Sequence, residues 1–177
     1  HTPLQTTFGY NAVALVVGVP RTLSLLELVT YYLDFQREVV TRRSKHELRQ
    51  AEKRAHVLRG YLIALDNLDA VIQLIRAAAD TDEARTGLME KFDLSEVQAS
   101  AILELRLRAL TALERARVEG EFKELQERIA ELRALLSDEA AIDALIKEEL
   151  LALRDAYSRN DDRRTEIVAA EEEVAPA

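Results

Sequence analysis

Between Arg37 and Gly60 the chain carries eight Lys or Arg residues against three Glu, although its 177 residues bear a formal net charge of −8. Guanidinium and ammonium groups at this density bind anions. Two kinds of anion can answer them: carboxylates on a partner helix of the same chain, or the phosphates of a polyanion outside it. Other chemistry is poorly provided for. No Gly-rich loop is present that could cradle a phosphate. His1, His46 and His56 have no i, i+4 mate among themselves, and Cys is absent, so no metal-ligand spacing emerges. His56, next to Ala55, reads as a partly buried packing residue. No Ser-His-Asp arrangement is suggested, and no self-sufficient active site is legible.

The elements that must carry the cations are long helices. Hydrophobic residues make up 48% of the chain and aromatics 5%, with no Trp. Ala, Leu, Glu and Arg dominate, the composition of long helices and coiled coils. No apolar run approaches the roughly 18 residues of a membrane span, and no basic, apolar leader is visible. A start at His1 rather than Met is expected of a segment of something longer. In "TTFGYNAVALVVGVPRTLS" Val13, Leu15 and Val17 alternate with small residues, which predicts a β-hairpin turning near Gly18 to Pro20. Ser24 with Glu27 forms a capping box. From Leu25 to Leu65 only Gly60 interrupts helix formers, a length of roughly 60 Å at 1.5 Å per residue. Thr41, Ser44, Leu48, Ala51, Ala55, Leu58, Leu62 and Leu65 recur in steps of three and four, a heptad seam built of small residues in its middle.

Residues 66–110 break into short helices. Asp66 and Asn67, Asp80 or Thr81, and Asp93 or Ser95 are the candidate caps. Thr111 and Glu114 form another capping box and open a second long helix. Val118, Phe122, Leu125, Ile129, Leu132 and Leu136 repeat at the same spacing, Ser137 can reset the helix, and Ile142, Leu145, Ile146, Leu150, Leu153 and Tyr157 extend the stripe. The economical fold is mainly α: an antiparallel two-helix coiled coil (24–65 and 111–158) with a helical knob (66–110) at its tip and a hairpin (1–23) at its base. Phe122 and Leu125 should pack against the narrow Ala51 and Ala55 positions. Tyr31 and Tyr32 near the base and Tyr61 near the knob read as packing residues. In the last segment (159–177) "TEIV" suits a short strand, and "EEEVAPA" a disordered tail. The second rod is acidic, with Glu119, Glu121, Glu124, Glu127, Glu131, Asp138, Glu139, Asp143, Glu148 and Glu149 along it. Charges flanking a seam select partner and orientation, so one reading matches the basic rod to the acidic one. The other makes Arg37, Arg42, Arg43 and Lys45 a surface facing nucleic acid. Both can hold on different faces.

Several stretches resemble one family. "HTPLQTTFGYNAVALVVGVPRTL" is similar to the end of the tower region of DNA gyrase A subunits. "REVVTRRSKHELRQAEKRAHVLRGYLIALDNLDAVIQLIR" resembles their first coiled-coil helix and the entry to its knob. "LSEVQASAILELRLRALTALER" resembles the knob's last helix and the return, and "DDRRTEI" the return to the body. Topoisomerase IV A subunits share the "EVVTRR", "RAHVL" and "QASAILELRL" runs, while "LTALERARVEGEFKEL" looks more like gyrase. The resemblance implies the exit gate of a bacterial, cytoplasmic, nucleoid-associated type IIA topoisomerase. In that family one duplex is cut, a second is passed through, and the arms open to release it. The resemblance further implies a homodimer closed through the knob, transient contact with double-stranded DNA, and a B subunit supplying ATP hydrolysis and the Mg2+ site. This segment itself is expected to hold no cofactor and no metal. The family's active-site tyrosine lies between Arg and Thr; no "RYT" occurs here, so the fragment alone is expected to be inactive. A rod ending in a knob gains a use through symmetric closure. The segment Ser95 to Leu107 holds more apolar surface than a small knob can readily turn inward, so Met89, Gln98, Ala101, Ile102 and Leu105 are the candidate dimer contact. The alternative is that they fill the knob's own core. A structural coiled coil without a DNA role, and a DNA-binding module acting alone, are the competing classes.

Overall fold

A computed structural model describes residues 9–105 and 112–158. The Thr111–Glu114 capping box, "DDRRTEI", the "TEIV" strand and the acidic tail lie outside the described residues. β1 (Val13–Val16) pairs antiparallel with β2 (Val19–Thr22), with Val16 opposite Val19 and Leu15 opposite Pro20. The turn is Val17–Gly18, one step earlier than the sequence suggests. Both residues have positive φ, 52° and 78°, as a two-residue type I′ loop requires. Pro20 sits inside β2. Pairs alternate between hydrogen-bonded and non-bonded along an antiparallel ladder, so a proline one step from the turn loses no ladder bond.

Ser24 caps α1 (Leu25–Asp66) with the full capping box: its Oγ accepts from the Glu27 amide, and the Glu27 carboxylate accepts from the Ser24 amide at 2.7 Å. The helix runs 42 residues without a break. Asn67 does not cap the next helix; its side-chain amide donates backwards to the Ile63 carbonyl at 2.9 Å and closes α1 instead. The knob comprises α2 (Leu68–Ala77), α3 (Thr81–Phe92) and α4 (Glu96–Leu103). Asp80 caps α3, and Ser95 caps α4 in a capping box with Gln98. Asp93, the other candidate, ends α3 in the left-handed region, φ 51°. α4 stops at Leu103, short of the extent its apolar run suggests.

The return limb is two helices, α5 (Ala112–Ser137) and α6 (Glu139–Tyr157). Asp138 between them is extended and accepts from the Ala140 amide at 2.9 Å, so the reset expected at Ser137 falls one residue later. Pairing is antiparallel: Arg37, Glu47, Arg54 and Asp66 along α1 meet Asp143, Arg128, Glu121 and Arg115 in descending order. Three apolar clusters lie along the arm. Ala64, Val71, Leu88, Leu94, Ala99 and Ile102 form the knob core, with Tyr61 packed on it. Ala51, Ala55 and Ile129 meet Phe122 and Leu125 at mid-arm, the large-on-small packing anticipated. Val40, Ile142 and Ile146 close the lower arm. Beyond them Leu25, Leu26, Phe35, Leu153 and Tyr157 are exposed, Tyr31 and Tyr32 are 37% and 46% exposed and so only partly covered, and the apolar stripe outruns its partner.

Gly60 marks a close approach of two helices. A Cβ built there would stand 2.8 Å from both Cβ and Cγ of Gln98, so the absence of a side chain lets α4 cross α1. Gly60→Ala should gain about 1 kcal/mol of helix propensity but lose about 1–3 kcal/mol to overpacking, because the clashing atoms lie near the Gln98 backbone. The expected net effect is a lowered thermal midpoint by circular dichroism. An unchanged or raised midpoint would show that the crossing tolerates a methyl group.

Candidate functional site: the charged arm and its knob

Where α4 crosses α1, three polar side chains lock the knob to the rod. The Gln98 side-chain amide donates to the His56 carbonyl at 2.7 Å, and its Oε1 accepts from the Ser95 amide at 2.9 Å. His56 Nε2 lies 2.6 Å from Ser95 Oγ. His56 is exposed rather than partly buried; it works as a tether. The two links to His56 were not visible in the sequence, since each joins residues about forty positions apart. A glycine inside a run of helix formers, facing a short capped helix, was the one available signal.

The five candidate contact residues separate in depth. Gln98 and Ile102 are each only 5% exposed and are spent inside the knob, Ile102 in its core and Gln98 against α1. Met89, Ala101 and Leu105 are half-buried. Val97 is 61% exposed and Ile72 38%. Among the described knob residues the exposed large apolar side chains are thus Val97 and Ile72, with Ala101, Leu105 and Met89 partly covered.

The cations separate by direction. Arg37 makes a bidentate pair with Asp143 at 2.7 and 3.0 Å, and Arg54 one with Glu121 at 2.6 and 3.0 Å. Arg43 binds Glu149. Pairs also run the other way. Arg128 bridges Glu47 and Glu131 at 2.8 and 2.9 Å, Arg133 binds Glu52 at 2.6 Å, and Arg115 binds Asp66 at 2.6 Å. Among the described residues matching is thus reciprocal, with three α1 cations and three α1 anions in the pairs named, rather than a basic rod laid on an acidic one. Of the four residues expected to face nucleic acid, Arg37 and Arg43 are bound to α6. Arg42 pairs only with Glu38 on its own helix, and Lys45 is exposed with no ion pair among the described residues. The hydrogen bonds from Arg37, Arg128 and Arg54 hold Asp143, Glu47 and Glu121 below the usual carboxylate range, with the adjacent positive charge assisting. Among the described residues no three His, Cys, Asp or Glu cluster for a metal, and no helix is long and apolar enough to cross a membrane.

A family model for the A subunits of DNA gyrase and topoisomerase IV matches residues 1–151. The chain is 54% identical over 171 residues to the DNA gyrase A subunit of Halalkalibacterium halodurans, covering 97% of this chain and 20% of that protein. It is 49% identical over 173 residues to the corresponding protein of Synechocystis sp., covering 98% and 20%. Against that of Mycobacterium tuberculosis the identity is 47% over 175 residues, covering 99% and 21%. The chain spans about one fifth of the length of the curated relatives it matches.

The paired carboxylates give the arm a pH dependence of defined sign. Asp143, Glu47 and Glu121 are depressed in the folded state relative to ordinary values of about 3.9 for Asp and 4.3 for Glu. Their contribution is fully present above those ordinary values and is lost as pH falls through the lower folded values. Thermal midpoints should be flat from about pH 8 to 5 and fall below about pH 4. A variant carrying Arg37→Gln, Arg54→Gln and Arg128→Gln should lose less on acidification than the parent chain. Equal acid losses in the two would remove the cross-arm pairs as the cause.

Proposed function

The chain belongs to the DNA gyrase/topoisomerase IV A-subunit family, and from that premise we propose that it is the exit-gate arm of such a protein, nearer gyrase than topoisomerase IV. Two copies meet through their knobs, hold the lower end of the enzyme closed, and part to release a transported duplex during ATP-dependent supercoiling. Strand cleavage by tyrosine, the Mg2+ site and ATP hydrolysis belong to other parts of the enzyme and to its B subunit, so this segment is mechanical. It keeps two bodies at a fixed separation and supplies a contact that can break and re-form.

One observation supports this reading above the rest. The knob has a core of its own and still leaves Val97 at 61% exposure, with Ala101 one turn further along α4 and Leu105 and Met89 only half-buried. A surface that is apolar while the core beneath it is satisfied marks an association site, and closed homodimers are formed by the same patch on both copies. Gln98 and Ile102 support that surface from below. A structural coiled coil without a DNA role would need no such patch at its tip.

The test uses Val97→Asp, because an exposed position can take a charge without loss of fold, whereas Ile102→Asp would break the core. Sedimentation equilibrium of the unaltered chain should show a dimer, and Val97→Asp should weaken association tenfold or more, about 1.4 kcal/mol, with the helical circular dichroism signal unchanged. A monomer for the unaltered chain at high concentration, or an equally tight dimer for the variant, would overturn the assignment.

A further inference from the structure

Of the eight cations between Arg37 and Gly60, Arg37, Arg43 and Arg54 are bound across the arm. Arg42 holds only Glu38, one turn earlier, and both side chains are mostly exposed, 75% and 63%. Lys45, Arg49 and Lys53 are exposed and make no ion pair among the described residues. The steps from Arg42 to Lys45, Arg49 and Lys53 are three, four and four residues, so the four side chains share one face of α1. The buried positions Ser44, Ala51 and Ala55 follow Arg42, Arg49 and Lys53 by two residues each. Two residues turn a helix by about 200°, so this row points directly away from the return limb. Of the five cations in this stretch with no ion pair across the arm among the described residues, four form this outward stripe; the fifth, Arg59, is exposed nearer the knob and lies off it.

We propose that this stripe, Arg42, Lys45, Arg49 and Lys53, is a docking surface for the phosphate backbone of duplex DNA. It deepens the exit-gate reading and rests on it for the identity of the duplex. Three features of the stripe favour that partner. The first is its length: eleven residues at 1.5 Å extend about 17 Å, along which a duplex presents about ten phosphate charges at one per 1.7 Å. Four cations spread over that many phosphates need no particular register, so contact is independent of sequence and easily broken. The second is its composition. The neighbouring outward positions His46 and Gln50 are polar, and the row contains no aromatic or aliphatic anchor, the kind of residue that supplies most of the affinity in a protein interface. The third is its rigidity. It lies on an unbroken helix, so the charges are held in line by the seam behind them. The nucleic-acid face is therefore turned around the helix from Arg37 and Arg43, and it extends further toward the knob than Lys45.

The experiment measures binding of the 177-residue chain to a fluorescently labelled duplex of about 30 base pairs by anisotropy across a salt series. Sedimentation of the same samples reports dimerisation. Four phosphate contacts predict a slope of log K against log salt of about −3.6, which is roughly a 100-fold loss between 50 and 200 mM. Changing Arg42, Lys45, Arg49 and Lys53 together to Gln should bring the slope close to zero with helix content and dimerisation unchanged. Changing Arg37, Arg43 and Arg54 to Gln should lower the melting midpoint and leave the slope near its original value. An undiminished slope in the fourfold variant overturns the stripe while leaving the gate reading intact. A chain that binds duplex through the stripe but never dimerises overturns the gate reading instead. Equal, stripe-dependent binding of polyglutamate at matched charge would overturn the duplex as the partner.

Discussion

The arm depends on one steric condition: α1 must be narrow wherever something has to come close to it. Its buried residues are Val40, Ser44, Ala51, Ala55, Leu58, Gly60 and Ala64, and five of those seven are Ser, Ala or Gly. Interior packing tolerates few voids, so small residues on one helix fix large ones on the other. Phe122, Leu125 and Ile129 fill the space above Ala51 and Ala55, and the Gln98 stem fills the space above Gly60. Nine residues separate Ala51 from Gly60 and Ala55 from Ala64, half a turn around the helix, so the return limb takes its register from one strip of small residues and the knob its seat from another on the opposite face. The charges along the flanks come second: they lie at the edge of a separation that the small residues have already decided.

The two ends of the arm solve the burial problem differently. At the knob, three short helices and the last turns of α1 enclose a core from which Leu88 and Ala99 are completely excluded from solvent. At the base, α1 starts about three turns before Arg37, its first residue ion-paired to the return limb. Leu25, Leu26 and Phe35 there remain exposed by 78%, 76% and 57%. A two-stranded hairpin of four residues per strand cannot cover them and is marginal by itself. The knob can thus stand as a self-supporting body, whereas the base is a surface that further polypeptide can cover. Apolar exposure by itself would point to the base as the main contact. The exit-gate proposal rests instead on Val97, exposed on a knob that already has a core of its own.

Much of this was legible in the sequence. The three-and-four seams, the Ser24–Glu27 box, the caps Asp80 and Ser95, and the facing of Phe122 and Leu125 onto Ala51 and Ala55 all follow from local periodicity, which a helix reports faithfully. What was missed is non-local. Gly60 reads as a tolerated weak point until α4 is laid across it. His56 reads as a packing residue until Ser95 is brought to it. Counting apolar residues in α4 could not tell Ile102, which faces the core, from Val97, which does not, because an eight-residue helix has too few turns to show a dominant face. The charge match was read as one-directional because the totals favour it. Glu47, Glu52 and Asp66 show that individual positions, not totals, decide which limb donates.

Partition of charge also explains how a protein of net charge −8 can present a cationic face. Reciprocal pairs neutralise the flanks of the seam. What is left after the cross-arm pairs is unevenly placed across the width of the arm, with Arg42, Lys45, Arg49 and Lys53 outward on α1 and acids such as Glu124 and Glu127, the latter paired with Lys123, exposed on α5. Two helices of about 10–12 Å diameter place these faces roughly 20 Å apart. Screening at physiological ionic strength acts over about 8 Å, so an anion approaching the α1 face is more than two screening lengths from the acids behind. It meets the local field rather than the net charge. The sum over the whole chain governs solubility and long-range repulsion at low salt. The stripe governs what happens at contact, and the two can have opposite signs because the small-residue seam holds the α1 face, where cations predominate, away from the acids of the return limb.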